Sequence, residues 1–367
     1  MKAIAVVPGT TNVELIEQPE PQIQNPSEVK LKVIEVGICG TDRELAAGGR
    51  GSAPSGEERL IIGHEVLAQV KEVGNDVKNF KVNDLAVVMV RRGCNQCSAC
   101  LAERADLCYN NNYIERGIKG KHGFQAEYII DQEQYLVKVP PNLSSCGVLC
   151  EPMSVVEKAV EEIIQLQQAR LPDWSAEEFP KKQALVIGLG PIGLLACFVL
   201  KLRGFKLFGQ DIVDSTTQRA KIVEEIGGVY IDGRKTPAHD LAARYGQIDV
   251  VIEAAGVAIM DFHLLDILGP NGACVLTGLP DENATFTIEG GRFMHRFVLK
   301  NQLLLGSVNA SKKHWQLAVE DLQLAQERWP VSLSKLITTR LAKERFRELL
   351  TRAAENEIKC LLDWRKM

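Results

Sequence analysis

The stretch from residue 184 to residue 203 constrains the fold of this chain more than any other segment. Ala184-Leu-Val-Ile187 has the apolar, β-branched composition of a buried strand, and Gly188-Leu-Gly190-Pro-Ile-Gly193 follows it directly. Pro191 stands where the first turn of a helix would begin, and an apolar segment continues to Arg203. A strand that enters a helix through G-x-G-x-x-G is typical of the dinucleotide-binding turn of a doubly wound sheet.

Each glycine of this turn has its own predicted task. Gly188 permits the tight turn, Gly190 lets the backbone approach a pyrophosphate, and Gly193 lets the helix and the strand pack closely. Amide groups near Pro191 and Ile192 carry the partial positive charge of a helix start, which favours phosphate there. We therefore expect these five residues to hold a dinucleotide.

The next predicted strand, 206–210, ends beside an acid, Asp211. Its carboxylate is placed to accept hydrogen bonds from the adenosine ribose hydroxyls and would repel a 2′-phosphate. Residues 212–218 contain no arginine or lysine that could attract such a phosphate. The sequence therefore favours NAD over NADP, although Asp211 could instead serve only to cap the following helix.

Strands and helices alternate along the second half of the chain, which predicts an α/β fold with a parallel sheet covered by helices on both faces. The predicted strands are 184–187, 206–210, 229–232, 250–253, 273–277 and 303–307, and the predicted helices are 191–203 and 216–226. We also expect cofactor contacts from Ala255, Thr277, Gly278, Leu279 and Ser307.

The first 150 residues are instead rich in short β segments, and a chain of 367 residues is expected to form two domains. An amphipathic helix that begins near Ser154 separates the two halves. After Asn309 the predicted elements are helices at 312–326 and 343–354 and strands at 336–338 and 358–363. They are too few to stand alone, so we expect them to return to the first domain. The predicted divisions are 1–153, 154–310 and 311–367.

Four cysteines, Cys94, Cys97, Cys100 and Cys108, follow the pattern C-x2-C-x2-C-x7-C on an irregular stretch. Thiolates at this spacing can converge on one tetrahedral ion, which predicts a structural zinc that is closed to substrate. An iron–sulfur motif also begins C-x2-C-x2-C, but it continues x3-C-P, whereas Tyr109 follows the fourth cysteine here. Disulfide pairing is the remaining alternative.

A second set of metal-type ligands comprises Cys39, His64, Glu65 and Glu151. Three or four mixed sulfur, nitrogen and oxygen ligands leave room at zinc for water or substrate, as a Lewis-acid site requires. The hydroxyl of Thr41 is placed to relay a proton, and the carboxylate of Asp42 is placed to orient the imidazole. The remaining histidines are interpreted as surface or core residues: His122, His239, His263, His295 and His314.

Charge and composition exclude several classes of function. A net charge of −4, with acids and bases interspersed, offers no basic face for nucleic acid or for an anionic membrane. No apolar run reaches membrane-spanning length, and the first ten residues lack the apolar core of a signal peptide. Ten cysteines without such a signal indicate a reducing compartment, so we expect the protein in the cytoplasm.

Together these motifs resemble the zinc-containing medium-chain alcohol dehydrogenases over essentially the whole chain. The shared motifs are GxCGTD at 37–42, GHE at 63–65, the cysteine lobe at 94–108, EP at 151–152 and GLGPIG at 188–193. A narrower resemblance, to the archaeal-type glucose dehydrogenase branch, rests on GICGTDRE (37–44), RRGC (91–94), ERGIKGKHGF (115–124), EPMSVVEKA (151–159) and GSVN (306–309).

The resemblance implies a GroES-like, β-rich catalytic domain beside the Rossmann domain. It also implies two zinc ions per chain, one catalytic and one structural. The implied ligands of the catalytic zinc are Cys39, His64 and Glu151, with Glu65 bound directly or through water.

Three further residues receive roles from the same resemblance. Thr41 would belong to the proton relay, Glu115 would lie near the sugar, and Asn309 would lie near the nicotinamide and the substrate. The implied reaction is the NAD-linked oxidation of an aldose at its anomeric carbon to the lactone. The implied partners are a small sugar or polyol and further copies of the chain, as a homotetramer.

The chain departs from the glucose dehydrogenase branch at three places. Ile212-Val213 stand where members that use NADP carry an arginine pair, and Val90 stands where some members carry a sugar-binding asparagine. Leu299-Lys300 stand near the position of a frequent histidine. Polyol dehydrogenase and L-threonine dehydrogenase are the nearest enzymatic alternatives, and a nucleotide-binding protein without turnover is the alternative of a different class.

Overall fold

The computed structural model describes residues 1–236, 240–351 and 356–366, without the side chains of 258–261. The chain divides into two compact units. Unit 1 comprises Met1–Ser154, Asn309–Gln326 and Leu336–Met367, and unit 2 comprises Val155–Val308 and Glu327–Lys335. The division at 153/154 and 310/311 that was expected from the sequence stays a prediction.

The first half of the chain is mostly β-structure. Its elements are β1 (Lys2–Val6), β2 (Val13–Glu17), β3 (Glu28–Ile38), α1 (Gly40–Ala46), β4 (Leu60–Ile61), β5 (Glu65–Val73), β6 (Leu85–Val88), β7 (Arg91–Arg92), α2 (Ser98–Leu101), β8 (Ile114–Arg116), β9 (Gly120–Lys121), β10 (Tyr128–Gln132), β11 (Leu136–Val139) and α3 (Cys150–Arg170).

The second half alternates strands with helices before it returns to unit 1. Its elements are β12 (Gln183–Ile187), α4 (Pro191–Leu202), β13 (Lys206–Asp211), α5 (Gln218–Glu225), β14 (Val229–Asp232), α6 (Leu241–Tyr245), β15 (Ile248–Glu253), α7 (Ala258–Ile267), β16 (Leu268–Leu276), α8 (Gly290–Leu299), β17 (Leu303–Gly306), α9 (Lys312–Arg328), α10 (Pro330–Ser334), β18 (Ile337–Ala342), α11 (Phe346–Thr351) and β19 (Lys359–Asp363).

Unit 2 contains the predicted parallel sheet, with strand order β14-β13-β12-β15-β16-β17 and every neighbouring pair parallel. The α/β fold class expected from the sequence is therefore confirmed. The connection order reverses between β12 and β15, so the carboxyl ends of these strands open a crevice where ligands bind in such sheets. Helix α4 packs its consecutive residues Gly193–Leu200 in the interior, which explains its apolar composition.

Unit 1 is built around a seven-stranded sheet with order β11-β6-β5-β3-β19-β18, to which β10 adds by pairing with β3. The long strand β3 runs antiparallel to β5 on one side and to β19 on the other. The strand β19 thus lies in the same sheet as β3 and β5. Cys39 directly follows β3, and His64 directly precedes β5. This arrangement brings residues near 37–39, 64–65 and 359 together.

Two expectations from the sequence need correction. One concerns the backbone of Glu151, and the other concerns the predicted helix 343–354. Because the residue before a proline is biased towards an extended backbone, Glu151-Pro152 predicts that conformation for Glu151. Glu151 is instead helical in the first turn of α3, where the missing N–H of Pro152 removes no intrahelical hydrogen bond. The predicted helix 343–354 is a 3₁₀ turn at Lys343–Arg345 followed by α11, and its residues 352–354 lie outside the described part of the chain.

Candidate active site

The four cysteines of the lobe converge. Their Sγ atoms all lie within 4.8 Å of one another, and Cys94 Sγ lies 3.8 Å from Cys100 Sγ. Zinc–sulfur bonds of about 2.3 Å in tetrahedral geometry place the sulfurs about 3.8 Å apart, so this group of thiols fits one zinc ion. All ten cysteines, each within the described residues, are free of disulfide bonds. Disulfide pairing is therefore not what holds the lobe.

Backbone turns rather than long elements bring these thiols together. Cys97 caps the short helix α2, Cys100 lies within it, and Cys108 follows the 3₁₀ turn Ala105–Leu107. The N–H of Cys97 points at Cys94 Sγ at 3.4 Å. A Cβ on Gly93 would lie 2.5 Å from Cys100 Sγ, so any larger residue there would have to displace this thiol. Local spacing alone therefore assembles this site, as the pattern predicted.

A second group of possible metal ligands forms where β3 ends and β5 begins. Cys39 directly follows β3 and caps α1, and His64 directly precedes Glu65, the first residue of β5. One ligand atom from each of Cys39, His64 and Glu65 lies within 4.8 Å of the other two. Gly37 stands opposite Glu65 in the β3–β5 register, and a Cβ at Gly37 would collide with the Glu65 carboxylate.

Asp42 ties these junctions together from the first turn of α1. Its fully buried carboxylate accepts the N–H groups of Cys39 at 2.9 Å and Gly63 at 3.1 Å. Its Oδ1 also lies 3.6 Å from His64 Nδ1. Burial alone would lower the pKa of His64, but the charge and hydrogen bonding of Asp42 and Cys39 together outweigh burial and raise that pKa well above its usual value. Asp42 is therefore placed to orient the imidazole ring.

Lys359, which the sequence patterns did not single out, contributes a buried positive charge. It forms an ion pair with Glu65, and both side chains are almost fully buried. Burial alone would lower the pKa of Lys359, but Glu65 and Cys39 outweigh burial and raise it. The two ion-paired residues are 294 positions apart in the sequence, and only the pairing of β19 with β3 brings them together.

One buried atom in this group fits a metal ion or its water ligand. Within the described chain, Glu65 Oε2 is buried without a hydrogen-bond partner, whereas the unpaired Nδ1 of His64 faces Asp42 Oδ1 at 3.6 Å. Unsatisfied polar atoms of this kind are rare in protein interiors and call for a specific explanation. A mixed thiol, imidazole and carboxylate set is also the donor chemistry of a catalytic zinc site.

Glu151 and Thr41 lie at the edge of this group. Glu151 is not one of the three described residues with mutually close ligand atoms. Burial raises the pKa of Glu151 to about 7, with Glu65 adding to the shift and His64 opposing it, so its carboxyl faces the same charges. Thr41 lies half-buried in α1, between the cap residue Cys39 and Asp42. Their predicted roles stay predictions.

Glu115 and Asn309, both predicted to lie near substrate, are in direct contact. Asn309 Nδ2 donates to Glu115 Oε1 at 2.9 Å, and the same oxygen accepts Nε and Nη2 of Arg91 at 3.0 and 2.9 Å. The Arg91 guanidinium in turn lies 3.9 Å from the centre of the Tyr113 ring. Arg91 was quoted in the RRGC motif but received no role, although an arginine inside an apolar strand is a signal of a buried ion pair.

The glycine turn of unit 2 has the geometry that a pyrophosphate requires. Gly188 has φ +82°, where a side chain would be strained, and a Cβ there would lie 2.7 Å from the Ala255 nitrogen. A Cβ on Gly193 would collide with the Gly188 carbonyl, so only glycine lets α4 approach β12. A Cβ on Gly190 would meet nothing within 4 Å. Gly190 caps α4 and Pro191 opens it, so the start of the helix lies beside this open position.

Asp211 ends β13 and lines a cavity of about 730 Å³ beside this turn. Its Oδ2 accepts the N–H of Leu189 at 2.7 Å, so it supports the glycine turn directly. The cavity is lined by Ile187, Gly188, Gly190, Gln210, Asp211, Ile212, Arg219, Gly233, Ala254, Ala255, Val257, His263 and Asp266. Its size and its glycine-rich wall fit a nucleotide.

The other predicted cofactor residues lie at the carboxyl ends of β15, β16 and β17. Glu253 Oε1 accepts the N–H groups of Ala255 and Gly256, each at 2.7 Å, and the Glu253 carbonyl accepts Thr277 Oγ1 at 2.6 Å. A Cβ on Gly278 would collide with the Gly256 backbone. Leu279 is 83% exposed, whereas Ser307 is 7% exposed. Glu253 was not anticipated from the sequence.

The remaining histidines have varied surroundings. His314 is buried against Ser311, and His122 Nε2 lies 2.8 Å from a Glu57 carboxylate oxygen. His263 is a lining residue of the nucleotide-sized cavity, and His239 lies outside the described residues.

Comparison with known families matches both halves of the chain. Residues 25–141 match the model of the alcohol dehydrogenase GroES-like domain, and residues 144–364 match the model of the glucose dehydrogenase C-terminus. Together the two matches span nearly all of the chain.

Comparison with individual proteins gives similar matches. Glucose 1-dehydrogenase of Methanocella arvoryzae is 35% identical over 99% of each chain, and glucose 1-dehydrogenase of Thermoproteus tenax is 40% identical over 95% of each chain. A solved structure of Haloferax mediterranei glucose dehydrogenase, in complex with NADP, zinc and gluconolactone, superimposes with a TM-score of 0.88 at 32% identity over 100% of both chains.

Proposed function

The chain belongs to the glucose dehydrogenase family of zinc-containing medium-chain dehydrogenases, and from that premise we propose that it oxidises an aldose such as glucose to its lactone. The observation that carries this proposal is the group formed by the half-buried Cys39 with the buried His64 and Glu65, held by Asp42 and charge-balanced by Lys359. Relatives with full-length similarity carry the name glucose 1-dehydrogenase, which supports an aldose as substrate.

When bound, a zinc ion would supply Lewis-acid chemistry for the alcohol oxygen, and a nicotinamide would supply the hydride acceptor. Cys39 and His64 would hold the metal, with Glu151 and Glu65 as carboxylate ligands, Glu65 directly or through water. Asp42 keeps the His64 ring in place. Lys359 offsets the negative charge of Glu65, so that the ligand set does not cancel the positive charge of the metal.

The chain's own residues would also bind the sugar and move the proton. Thr41, with its hydroxyl two residues from Cys39, would carry the proton away from the substrate oxygen. Glu115 and Asn309 would bind sugar hydroxyls, and the hydrogen bond between them fixes both side chains in advance. Arg91 holds the Glu115 carboxylate through two donors and so positions it.

We propose NAD as the nicotinamide cofactor and two zinc ions per chain. The cofactor would lie on Gly188, Gly190, Pro191, Ile192 and Gly193, with Ala255, Thr277, Gly278, Leu279, Ser307 and Asn309 as further contacts. Asp211, at the end of β13, would bind the adenosine ribose hydroxyls. The second zinc would fill the group of Cys94, Cys97, Cys100 and Cys108, where it stabilises the lobe.

We further propose that copies of the chain assemble, as a tetramer. Strand β17 is the last strand of the unit 2 sheet, and Leu304 on it is 41% exposed. On the neighbouring helix α8, Val298 and Leu299 are 65% and 69% exposed. An edge strand with exposed apolar neighbours is a surface that a second copy can pair with. Light scattering after gel filtration tests this, and Leu304→Lys should weaken the assembly.

Among the described residues, no helix combines the length and the apolar character that crossing a bilayer requires. The lobe of four reduced thiols suits a reducing compartment, and we propose the cytoplasm on that basis.

The experiment that tests the function is a panel of sugars, polyols and L-threonine, each with NAD and with NADP, followed by absorbance of the reduced cofactor. We expect the highest kcat/KM with an aldose and NAD, and a lactone as product. A higher kcat/KM with a polyol or with L-threonine would contradict the aldose as substrate but not the dehydrogenase reaction. A chain that binds nucleotide and turns over none of these substrates would contradict the proposal.

A further inference from the structure

A second cavity, of about 490 Å³, lies in unit 1 where the cysteine lobe begins. Arg92 of β7 lines it, whereas the preceding residue, Arg91, holds Glu115. Successive side chains of a strand point to opposite faces of the sheet. The cavity is therefore on the other face of β7 from the Arg91–Glu115 contact, and it is separate from the candidate active site.

Buried charges form the inner wall of this cavity. Arg92 and Asp131 both line it and are only 6% and 5% exposed. Asp131 Oδ2 accepts Nη2 of Arg92 at 2.6 Å and Nη1 of Arg116 at 2.7 Å. The Arg92 guanidinium carbon also lies 3.8 Å from the centre of the Tyr135 ring. One carboxylate thus serves two buried arginines, which leaves positive charge in excess.

Two cationic donors at the cavity are left without partners. Arg92 Nε is buried and, within the described residues, donates to no acceptor. Lys121, at the end of β9, lines the cavity half-buried, and in the described part of the chain its ammonium forms no hydrogen bond or ion pair. Burial and repulsion by Arg116 lower the pKa of Lys121, as expected for a cation that lacks a counter-charge. Both donors can therefore receive an acceptor from a ligand.

The carboxylates of the cavity are, by contrast, already hydrogen-bonded. Glu28 accepts the N–H groups of Gln24 at 2.8 Å and Asn25 at 3.0 Å, and it also accepts Asn25 Nδ2 at 3.0 Å. Asp131 Oδ1 accepts the N–H of Gln132 at 2.9 Å. The hydrogen bonds left open on the charged groups are thus those of cations, which fits an anion rather than a metal ion.

The size and the rim of the cavity indicate which kind of anion fits. A volume of about 490 Å³ is in the range of small-molecule sites, so a simple ion would not fill it. Exposed side-chain amides, which can donate to and accept from hydroxyl groups, line the rim: Asn95, Asn112, Gln132 and Gln134. Cys94 of the zinc lobe also lines the cavity, and its thiolate would repel a phosphate monoester of charge about −1.5 to −2 more than a single carboxylate.

From this arrangement we infer that the cavity binds a hydroxylated monocarboxylic acid, with its carboxylate on Arg92 and Lys121 and its hydroxyl groups on the rim amides. Charged donors of this kind form strong hydrogen bonds to carboxylates. Hydrolysis of an aldonolactone yields an acid of this class, so the reaction proposed above would supply the ligand. That source rests on the proposed function, whereas the site itself rests only on the cavity.

Calorimetry on the zinc-loaded chain without cofactor tests the site, with gluconate, acetate and inorganic phosphate as probes. We expect gluconate to bind at least about tenfold more tightly than either of the others, because only gluconate uses both the cations and the amides. Lys121→Gln should weaken gluconate binding at least about tenfold, the loss expected for one charged hydrogen bond, and Lys121→Arg should restore part of it. Lys32 is an exposed lysine on β3 that does not line the cavity, so Lys32→Gln is the matched control and should stay within about threefold of the unmodified chain.

Four results would overturn the inference. Gluconate that fails to bind would do so, and gluconate binding that Lys121→Gln leaves unchanged would place the acid elsewhere. An equal loss in Lys32→Gln would reduce the effect to overall charge, and tighter binding of phosphate than of gluconate would exclude the carboxylate class. Oxidation of the aldose, measured separately without added acid, distinguishes these failures from failure of the proposed function. Lys121→Gln should leave its kcat and KM unchanged.

Discussion

At the scale of single residues, the candidate site contains a few buried charges whose partners come from distant parts of the chain. Glu65 is paired with Lys359, Asp42 faces His64, and Glu115 is shared by Arg91 and Asn309. A buried charge that loses its partner is costly, because the interior solvates it poorly. Substitutions at these residues therefore separate stability from chemistry only when both members of a pair are varied.

Replacing Lys359 with methionine should leave the Glu65 carboxylate buried without its counter-charge. We expect the free energy of unfolding in urea to fall by about 3 kcal/mol, as for other buried pairs that lose one member. Glu65→Gln in the same background should restore most of that loss, because it removes the uncompensated charge. Lys181→Met, which breaks an exposed ion pair with Glu178, is the control and should have little effect. Equal stability of the Lys359→Met variant and the unmodified chain would contradict the structural role of the pair.

Thr41 and Glu151 should give different signatures. Thr41→Ala should lower kcat on the best aldose roughly a hundredfold while zinc content and melting temperature stay the same, because only the proton relay is removed. Thr41→Ser keeps the hydroxyl and should recover most of the rate. Glu151→Gln should lower kcat and also loosen the exchangeable zinc, because it removes a carboxylate that faces the same charges. Full activity in both variants would mean that the site is wrongly assigned.

At the scale of elements, short turns between strands and helices position the functional groups. The β12–α4 turn depends on three glycines. Gly188 has a positive φ, Gly193 packs against the Gly188 carbonyl, and Gly190 faces open space. The cysteine lobe is a chain of tight turns, and the β3–α1 junction places Cys39 and Asp42 in one helix start. The long strands around them mainly fix where these turns lie.

Gly193 and Gly190 allow the packing and binding tasks of the β12–α4 turn to be tested separately. Gly193→Ala should destabilise the chain by about 1–3 kcal/mol, because the new Cβ collides with the Gly188 carbonyl. Gly190→Ala should leave the melting temperature nearly unchanged, since its Cβ would enter open space, yet weaken NAD binding at least about tenfold if the pyrophosphate approaches there. Calorimetric NAD binding and thermal unfolding of both variants check this. Unaltered NAD affinity in Gly190→Ala would place the pyrophosphate elsewhere.

At the scale of the whole molecule, one chain combines a parallel nucleotide-binding sheet with a β-rich unit that carries two groups of metal-type ligands. The strand β19, which follows unit 2 in the chain, lies in the sheet of unit 1 and pairs with β3. The C-terminal strand thus contributes Lys359 to the candidate active site.

The two metal groups should behave differently when zinc is removed. Mild chelation should remove one zinc per chain together with activity, because the group at Cys39 and His64 leaves open positions. The zinc at Cys94, Cys97, Cys100 and Cys108 should stay, because four thiolates fill its coordination sphere. Metal analysis before and after chelation tests this, and Cys97→Ser should lose the retained zinc specifically. A single zinc throughout, or iron with visible absorbance, would contradict the assignment.

Much of this architecture could be predicted from the sequence because its signals are contiguous. Strand–glycine–helix spacing predicted the parallel sheet of unit 2, now confirmed, and cysteine spacing predicted a converging lobe. Helices α7 and α8 were not predicted, and the conformation predicted for Glu151 was wrong, since a local proline rule missed the helix start in which it lies. Local rules fail at element boundaries because tertiary packing decides where a helix begins.

The sequence by itself determined which residue types were available at each turn: the glycines, the four cysteines, and the Cys39 and His64–Glu65 motifs. Only the tertiary structure decided which charges meet. Lys359 reaches Glu65 through the β19–β3 pairing, Asn309 reaches Glu115 across 194 residues, and Arg219 reaches Asp211 through the entry into α5. Strand register and helix placement set such contacts, and both follow from burial of the whole chain rather than from the spacing of any one motif.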